Sequence, residues 1–323
     1  MHSSFPHISI ILPVYKPEPD LFHEALMSIK DQDYSRLELI ISVDGGTPDL
    51  DWESQVVQKV GVKNIKILYH NGNPGIFSNI NHALKYVSGD FVQLFSQDDR
   101  MYPGFLDKQS EVLMHNPKVA MVFSAFDVID ERGEIVNESI QFTFKPDHDC
   151  LIKSAESIDL FIEHGCLPGN ISPVMLRRNL FTSIGLFDES LPYAGDFDYW
   201  VRVSKNWDLY YLCNPGLQVR RHDKQASMTM SNRQLYLDLV HIYRTLLKSV
   251  PKEGLKSKLH HLNRKVGAAF IHHSWISLLR GKSHIRTFGQ RWKDMQQYPF
   301  NAFWASTYYG ISIPSRIIRR ITK

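Results

Sequence analysis

The sequence predicts an α/β fold: a Rossmann-like mixed, mostly parallel sheet flanked by helices, followed by a helical C-terminal extension. Three observations predict it. Short apolar runs of strand length alternate with segments whose apolar residues recur at helical spacing. Those runs end in Gly, Pro or Asp, the residues that turn a chain at the ligand-binding edge of an open sheet. From Asn232 onward only helical stripes remain.

Taken in order, His7 to Tyr15 (HISIILPVY) reads as a first strand, stopped by Pro13 and by Lys16-Pro17. Residues 20–31 place Leu21, Ala25, Leu26 and Ile29 on one helical face, with Asp20 as N-cap. Leu37 to Val43 forms a second strand running into Asp44-Gly45-Gly46, where glycine lets a backbone approach a ligand closely. A third strand, Ile65 to Tyr69, enters the turn-rich loop Asn71 to Gly75. A helix then carries Asn79 and Asn81 and ends near Val87. The next apolar run, Phe91 to Phe95, delivers two adjacent carboxylates, Asp98 and Asp99, to a strand end. Side by side, such acids raise one another's pKa unless a cation lies between them, and a hard divalent metal meets that need. A solvated Asp-Asp turn is the other reading of this pair alone.

With 323 residues, 43% of them hydrophobic, the chain can bury a full core in one large domain and a smaller one. Three widely spaced cysteines, Cys150, Cys166 and Cys213, contain no CxxC pair; this argues against structural zinc or a disulfide framework and favours a reducing compartment. No apolar run approaches the about 20 residues that cross a bilayer, and the first residues read as a strand instead of a signal peptide. A cytoplasmic protein is expected. Net charge is +3 but unevenly spread: residues 216–323 hold 20 Lys and Arg against 4 Asp and Glu, leaving 17 against 30 before them. The acidic front and basic tail point to an anionic surface facing the C-terminal part.

The order LPVYK, LELIISVDGG, NPGIFSNINHALKYVSGD and FSQDD resembles the nucleotide-sugar half of family 2 glycosyltransferases, which have the GT-A fold, over roughly the first 130 residues. The resemblance implies a nucleotide-diphospho-sugar donor and a divalent metal, Mn2+ or Mg2+. Carried over by position, Pro13 and Tyr15 would lie beside the nucleobase or ribose, Asp44 would hold the nucleoside, and Gly75 and Asn81 would belong to the donor-binding loop and helix. Asp98 would meet the ribose or the metal, and Asp99 would ligate the metal. Three departures stand out: Gly45 replaces a second strand-end aspartate, Ser96 replaces an acid two positions before Asp98, and Gly195 replaces a glutamate.

In the middle of the chain, Met121 to Phe126 is apolar and Asp130 to Gly133 reads as a hairpin turn. Phe144 to Asp149 is expected to be a mobile acceptor-side loop, and Cys166 to Ser172 a buried structural turn. The stretch Ala194-Gly-Asp-Phe-Asp-Tyr-Trp-Val-Arg202 resembles the family's second signature, in which Asp196 matches the catalytic base. Inverting transfer needs a carboxylate to take the acceptor hydroxyl's proton. Asp196 could instead simply cap its helix. Asp198, with Trp200 and Arg202, is read as tying that helix to the core. In Val219-Arg-Arg-His-Asp, His222 matches a family histidine near the diphosphate or metal, and Arg220 and Arg221 could pair with phosphate oxygens.

The expected organisation is a GT-A domain over residues 1–219 and a basic helical extension over 220–323. Within the extension, Phe300 to Ile321 could lie on an anionic membrane face. The expected activity is inverting transfer of one sugar to a glycan or lipid-linked glycan, in the cytoplasm or on the inner membrane face. Gln290-Arg291-Trp292 lacks the spacing of the processive synthases' motif. Two alternatives compete: a non-catalytic nucleotide- or sugar-binding relative, which Asp196 argues against, and a basic-tail nucleic-acid-binding protein, which gives the strand-end acids no role. No nucleic-acid partner is expected.

Overall fold

The structure is a computed structural model that describes residues 5–72, 74–136, 144–222, 232–259 and 261–262. It divides into two compact units, Met1–Thr229 and Met230–Lys323. The first is built on strands β1 (Ile8–Val14), β2 (Leu37–Asp44), β3 (Asn64–His70) and β4 (Phe91–Leu94), which form a parallel half-sheet in the order β3-β2-β1-β4. Their apolar runs lack the alternation of a half-exposed sheet because both faces are covered: Ile8, Ile10, Ile11, Leu12, Leu39, Ile40, Ile41, Val92 and Leu94 are fully buried. Each such side chain contributes roughly 1.5–3 kcal/mol on burial.

The sheet continues through β8 (Val174–Arg177), β6 (Val119–Ile129) and β9 (Asp208–Arg220) to the two-residue β5 (Arg100–Met101), with β7 (Cys150–Ile152) paired to β9. Here it becomes mixed: β8 runs antiparallel to both β4 and β6, while β6 and β9 are parallel. The turn at Asp130–Gly133 forms as expected: Asp130 and Gly133 close it by backbone hydrogen bonds, and Ile135 bridges back to Ile129.

The first helix, α1 (Pro19–Lys30), begins one residue earlier than the pattern suggests. Pro19 occupies its first turn, where the missing N–H costs nothing, so Glu18 and not Asp20 is the N-cap. Four helices, over 50–60, 105–115, 154–164 and 180–183, lie where no pattern was read. α2 (Leu50–Val60) is capped by the Asp49 side chain, which accepts from Asp51 and Trp52 N–H, and α4 (Phe105–His115) follows β5. The remaining elements are α3 (Ile76–Leu84), α5 (Ser154–His164), the single turn α6 (Leu180–Ser183), α7 (Gly195–Ser204) and, in the second unit, α8 (Asn232–Leu247).

Phe144, the first residue of the expected mobile loop, has its ring against Phe123, His164 and Tyr211 at 5.5–6.3 Å. In the second unit the stripe on α8 buries Ile242 and Leu246, with Leu235, Leu239 and Leu247 partly buried. Helix continues at 252–259, and no described helix is long and apolar enough to cross a membrane. The second stripe (Val266 to Ile276) and the basic segment Phe300 to Ile321 lie outside the described residues.

Candidate active site

The strand order reverses between β1 and β4, and an open α/β sheet binds ligands at such a point, beyond the carboxyl ends of its strands. The β1–β4 register ends at Ile11 and Leu94, and beyond it Pro13, buried and with no N–H to offer, stays in register with Ser42 of β2. Tyr15, 57% exposed, is fixed through its backbone: its N–H donates to Gln97 Oε1 (2.9 Å), and Gln97 Nε2 donates to its carbonyl (3.1 Å). At the end of β2, Asp44 Oδ2 accepts the N–H of Gly75, the residue that opens α3, at 3.0 Å. Gly75 has φ +134° and Gly45 φ +76°, both in the left-handed region, so these backbone paths favour glycine. The aspartate that the family pattern places at 45 would be strained there.

Asn81 sits differently from its expected role. It is buried, and its amide donates to Phe187 O and Glu189 Oε1 and accepts from Phe187 N. Its contacts tie α3 to the loop that leads to α7. Arg202 holds the same loop through Ile184 O and Leu186 O and pairs with Asp198 at 2.7 Å, which gives Asp198 and Arg202 the tethering role read for them.

The adjacent acids at the end of β4 divide into two kinds. Asp99 is 2% exposed; its Oδ2 accepts from Ser172 Oγ and its Oδ1 from the backbone N–H of Arg220 at 2.9 Å. Burial pushes its carboxyl up to about 7, against the pull of those two donors. Asp98 keeps part of its carboxylate exposed and meets His222 Nε2 at 3.3 Å through Oδ2. Each Asp99 oxygen thus holds one hydrogen bond, while Asp98, its side chain 16% exposed, meets the His222 ring, 6% exposed. Ser96, which replaces a family acid, is bound to Ser172, and Ser172 thereby reaches both Ser96 and Asp99.

Arg220 needs a correction. It is completely buried, and its guanidinium donates to Asp98 O, Asp130 O, Glu131 O and a carboxylate oxygen of Glu24. It supports the strand end from beneath and has no orientation left for a diphosphate. Arg221, next to His222, is exposed.

Asp196 occupies the second position of α7, and Ala194 holds the cap position. Burial raises its carboxyl to about 6, opposed by hydrogen bonds from the backbone N–H of Phe197 and from its own. The Cys166 thiol, in the loop that ends at Ser172, is pushed up by burial and by the nearby Asp196 carboxylate. The 166–172 loop thus borders Asp196 at one end and holds Asp99 at the other. A Cβ on Gly195 would come within 2.8 Å of the Phe77 ring and 3.2 Å of Asp188 O, so the glutamate of the family pattern does not fit this packing.

For a divalent metal, Asp98 and His222 offer one carboxylate and one imidazole. Among the described residues no group of three His, Cys, Asp or Glu could hold one. This donor set fits Mg2+ or Mn2+, which take one or two protein ligands and complete their shell with substrate phosphates and water. Sequence reasoning did not find Ser172, Gln97 or Glu24; each reaches the site from a distant part of the chain, and no local pattern marks them.

A mixed sheet with acids at its switch point is what the resemblance to GT-A glycosyltransferases leads one to expect, and comparison with known proteins agrees. The family model described as glycosyl transferase family 2 matches residues 9–167. An uncharacterised glycosyltransferase of Rickettsia typhi is 30% identical over 71% of this chain and 68% of its own, and one of Rickettsia prowazekii 29% identical over 77% and 74%. Against a longer relative from Rickettsia felis, 27% identical, the chain spans 36% of that protein's length. Among solved structures, Staphylococcus aureus TarS residues 1–349 in complex with UDP superposes with a TM-score of 0.61 (18% identity, 88% of this chain, 77% of that one). TarS in complex with UDP-GlcNAc gives 0.57 (19% identity, 82% and 71%). The chain belongs to glycosyltransferase family 2 and is a transferase with the GT-A fold.

Proposed function

We propose that this enzyme moves one sugar, with inversion, from a nucleotide-diphospho-sugar to a hydroxyl of a glycan or lipid-linked glycan. The observation that carries the reading is the pairing of Asp98 with His222 at the switch point, together with a separate raised carboxyl at Asp196. TarS, one of the solved neighbours, has been solved in complex with UDP and with UDP-GlcNAc, which supports a donor of that class. Pro13, Tyr15, Asp44 and Gly75 frame the nucleoside side of the crevice. Asp98 and His222 would hold the divalent metal, which would neutralise charge on the departing diphosphate, and Arg221 would add a cation beside it. Asp196 accepts the acceptor hydroxyl's proton as that oxygen attacks the anomeric carbon and the nucleotide leaves from the opposite face. A carboxyl near 6 suits this role: ionised at neutral pH, it is more basic than an exposed aspartate. The acceptor and a contact of residues 300–321 with an anionic inner membrane face rest on the basic charge of the C-terminal part.

The test is nucleotide release from UDP-, GDP- and dTDP-sugars by the full chain with Mn2+. Turnover of one donor class, abolished in Asp98→Asn, is expected. No release from any donor, or equal release by Asp98→Asn, overturns the reading.

A further inference from the structure

We infer that Glu24, on α1, is a positioning residue of the transfer reaction: it sets the geometry of the Asp98–His222 pair through Arg220. The inference rests on the metal-site reading above. One oxygen of Glu24, Oε2, accepts from three N–H groups on two guanidiniums: Arg100 Nε at 2.8 Å, Arg100 Nη2 at 2.5 Å, and Arg220 Nη2. Glu24 itself touches neither Asp98 nor His222. Arg220 connects it to both. The Arg220 Nε donates to the Asp98 carbonyl at 3.0 Å, its backbone N–H holds the Asp99 carboxylate, and its Nη1 clamps the Asp130–Glu131 turn. His222 lies two residues further along the same backbone and faces Asp98. Asp98 and His222 therefore belong to segments fixed by one buried guanidinium.

That guanidinium is fully buried, and a buried cation keeps its place only while its partner and acceptors do. Arg100 braces the arrangement from the other side. A Cβ on Gly133 would lie 2.7 Å from Arg100 Nη2, so the 130–133 turn packs directly on it, and Gly133 adopts φ +85° to do so. Removing the Glu24 carboxylate takes away the anion that Arg220 and Arg100 share and leaves Arg220 only the smaller pull of Asp99 and Asp98. Arg220 then shifts, carrying the Asp98 carbonyl and the start of the His222 segment with it. A carboxylate and an imidazole displaced by a fraction of an ångström bind a divalent cation less well, and residues supporting a metal's ligands are worth roughly 10–100-fold in affinity or activity.

The experiment measures Mn2+ binding to the full chain by electron paramagnetic resonance at 15 °C, alongside donor turnover. It compares wild type with Glu24→Gln, Glu24→Asp and Asp98→Asn. Glu24→Gln is expected to weaken Mn2+ binding about ten-fold and to raise KM for the donor more than it lowers kcat. Glu24→Asp, which keeps the charge, is expected to recover most of the affinity. If Asp98→Asn loses Mn2+ while Glu24→Gln binds it as wild type does, the positioning role fails and the metal site stands. If Asp98→Asn binds Mn2+ unchanged, the metal site itself fails. Should Glu24→Gln fold poorly, Arg100→Lys probes the same contact from its other side, and undiminished Mn2+ binding in that variant overturns the proposal.

Discussion

At the N-terminal edge of the parallel strands, Glu38 is wholly buried, and five donors serve its two oxygens: Ser9 Oγ, Ser88 N–H and Oγ, Lys66 Nζ and Asn64 Nδ2. At the opposite edge of the same half-sheet, Asp99 is as deeply buried but receives two hydrogen bonds, from Ser172 and Arg220. Burial would raise the Glu38 carboxyl, but its hydrogen bonds from Lys66, Ser9 and Ser88 outweigh it and hold it down at about 2. Asp99 goes the other way, to about 7, and Asp196 to about 6. The difference is in donor supply and in neighbouring charge: Lys66 pulls Glu38 down, while the Asp98 carboxylate adds to the rise of Asp99. One edge is saturated with its own donors and serves the fold. At the other, Asp99 and Asp196 receive fewer donors and keep their protons to higher pH.

The largest expected effect tests the unsaturated edge. Asp196→Asn should lower transfer by about 10²–10⁴-fold, the range for losing a positioned base. The wild-type rate should itself fall as pH drops below about 6, because the base then carries a proton. The sign for stability is opposite to the sign for activity. An acid whose folded pKa lies above its unfolded value costs stability once pH exceeds the unfolded value, so Asp196→Asn should melt higher than wild type at pH 8, with the gap closing below pH 4. Equal activity of the variant at pH 8 would remove the base from Asp196.

Next in size is the saturated edge. Glu38 has a folded pKa depressed from 4.5 to about 2, so its contribution is complete above 4.5 and is lost as pH falls towards 2. Glu38→Gln should therefore cost about 3 kcal/mol of unfolding free energy at pH 7 by denaturant titration, and much less at pH 3. A cost independent of pH would mean that packing, and not charge, holds this edge.

A smaller change should shift one edge further from the other. Ser172→Ala removes one of the two donors of Asp99, and hydrogen bonds to a charged group are worth about 1.5–3 kcal/mol. The lost bond serves the ionised carboxylate, so thermal midpoints should drop more at pH 8 than at pH 5.5. Equal losses at both would make Ser172 a packing residue only.

The four parallel strands were legible in the sequence, while the short β5 and β7 were not. β1, β2, β3 and β4 are continuous apolar runs because both faces of a parallel sheet are covered, and β2 and β4 end in the acids that mark the switch point. Helix α2 was hard to see because its apolar positions are few, although Asp49 gives it a side-chain cap. Helix α4 buries Gln109 and Ser110 among its apolar residues, which blurs the stripe. The candidate site was legible as a set of residue types but not in its division of labour. Asp98 and Asp99 look alike in sequence; what separates them are Ser172 and Arg220, 73 and 121 residues away from Asp99. Asn81 and Arg220 carried the right chemistry for substrate contacts, and their partners Phe187 and Glu24, 106 and 196 residues away, give them structural duties instead. Partners at such separations leave no local pattern.

The most direct test of the central claim is the thermal midpoint of the full chain with UDP, GDP, dTDP and CMP, each with and without Mn2+. A ligand that binds only the native state stabilises it by mass action. The account predicts a Mn2+-dependent rise for a nucleoside diphosphate in wild type and none in Asp98→Asn. A rise that persists in Asp98→Asn, or no rise with any nucleotide, would contradict it.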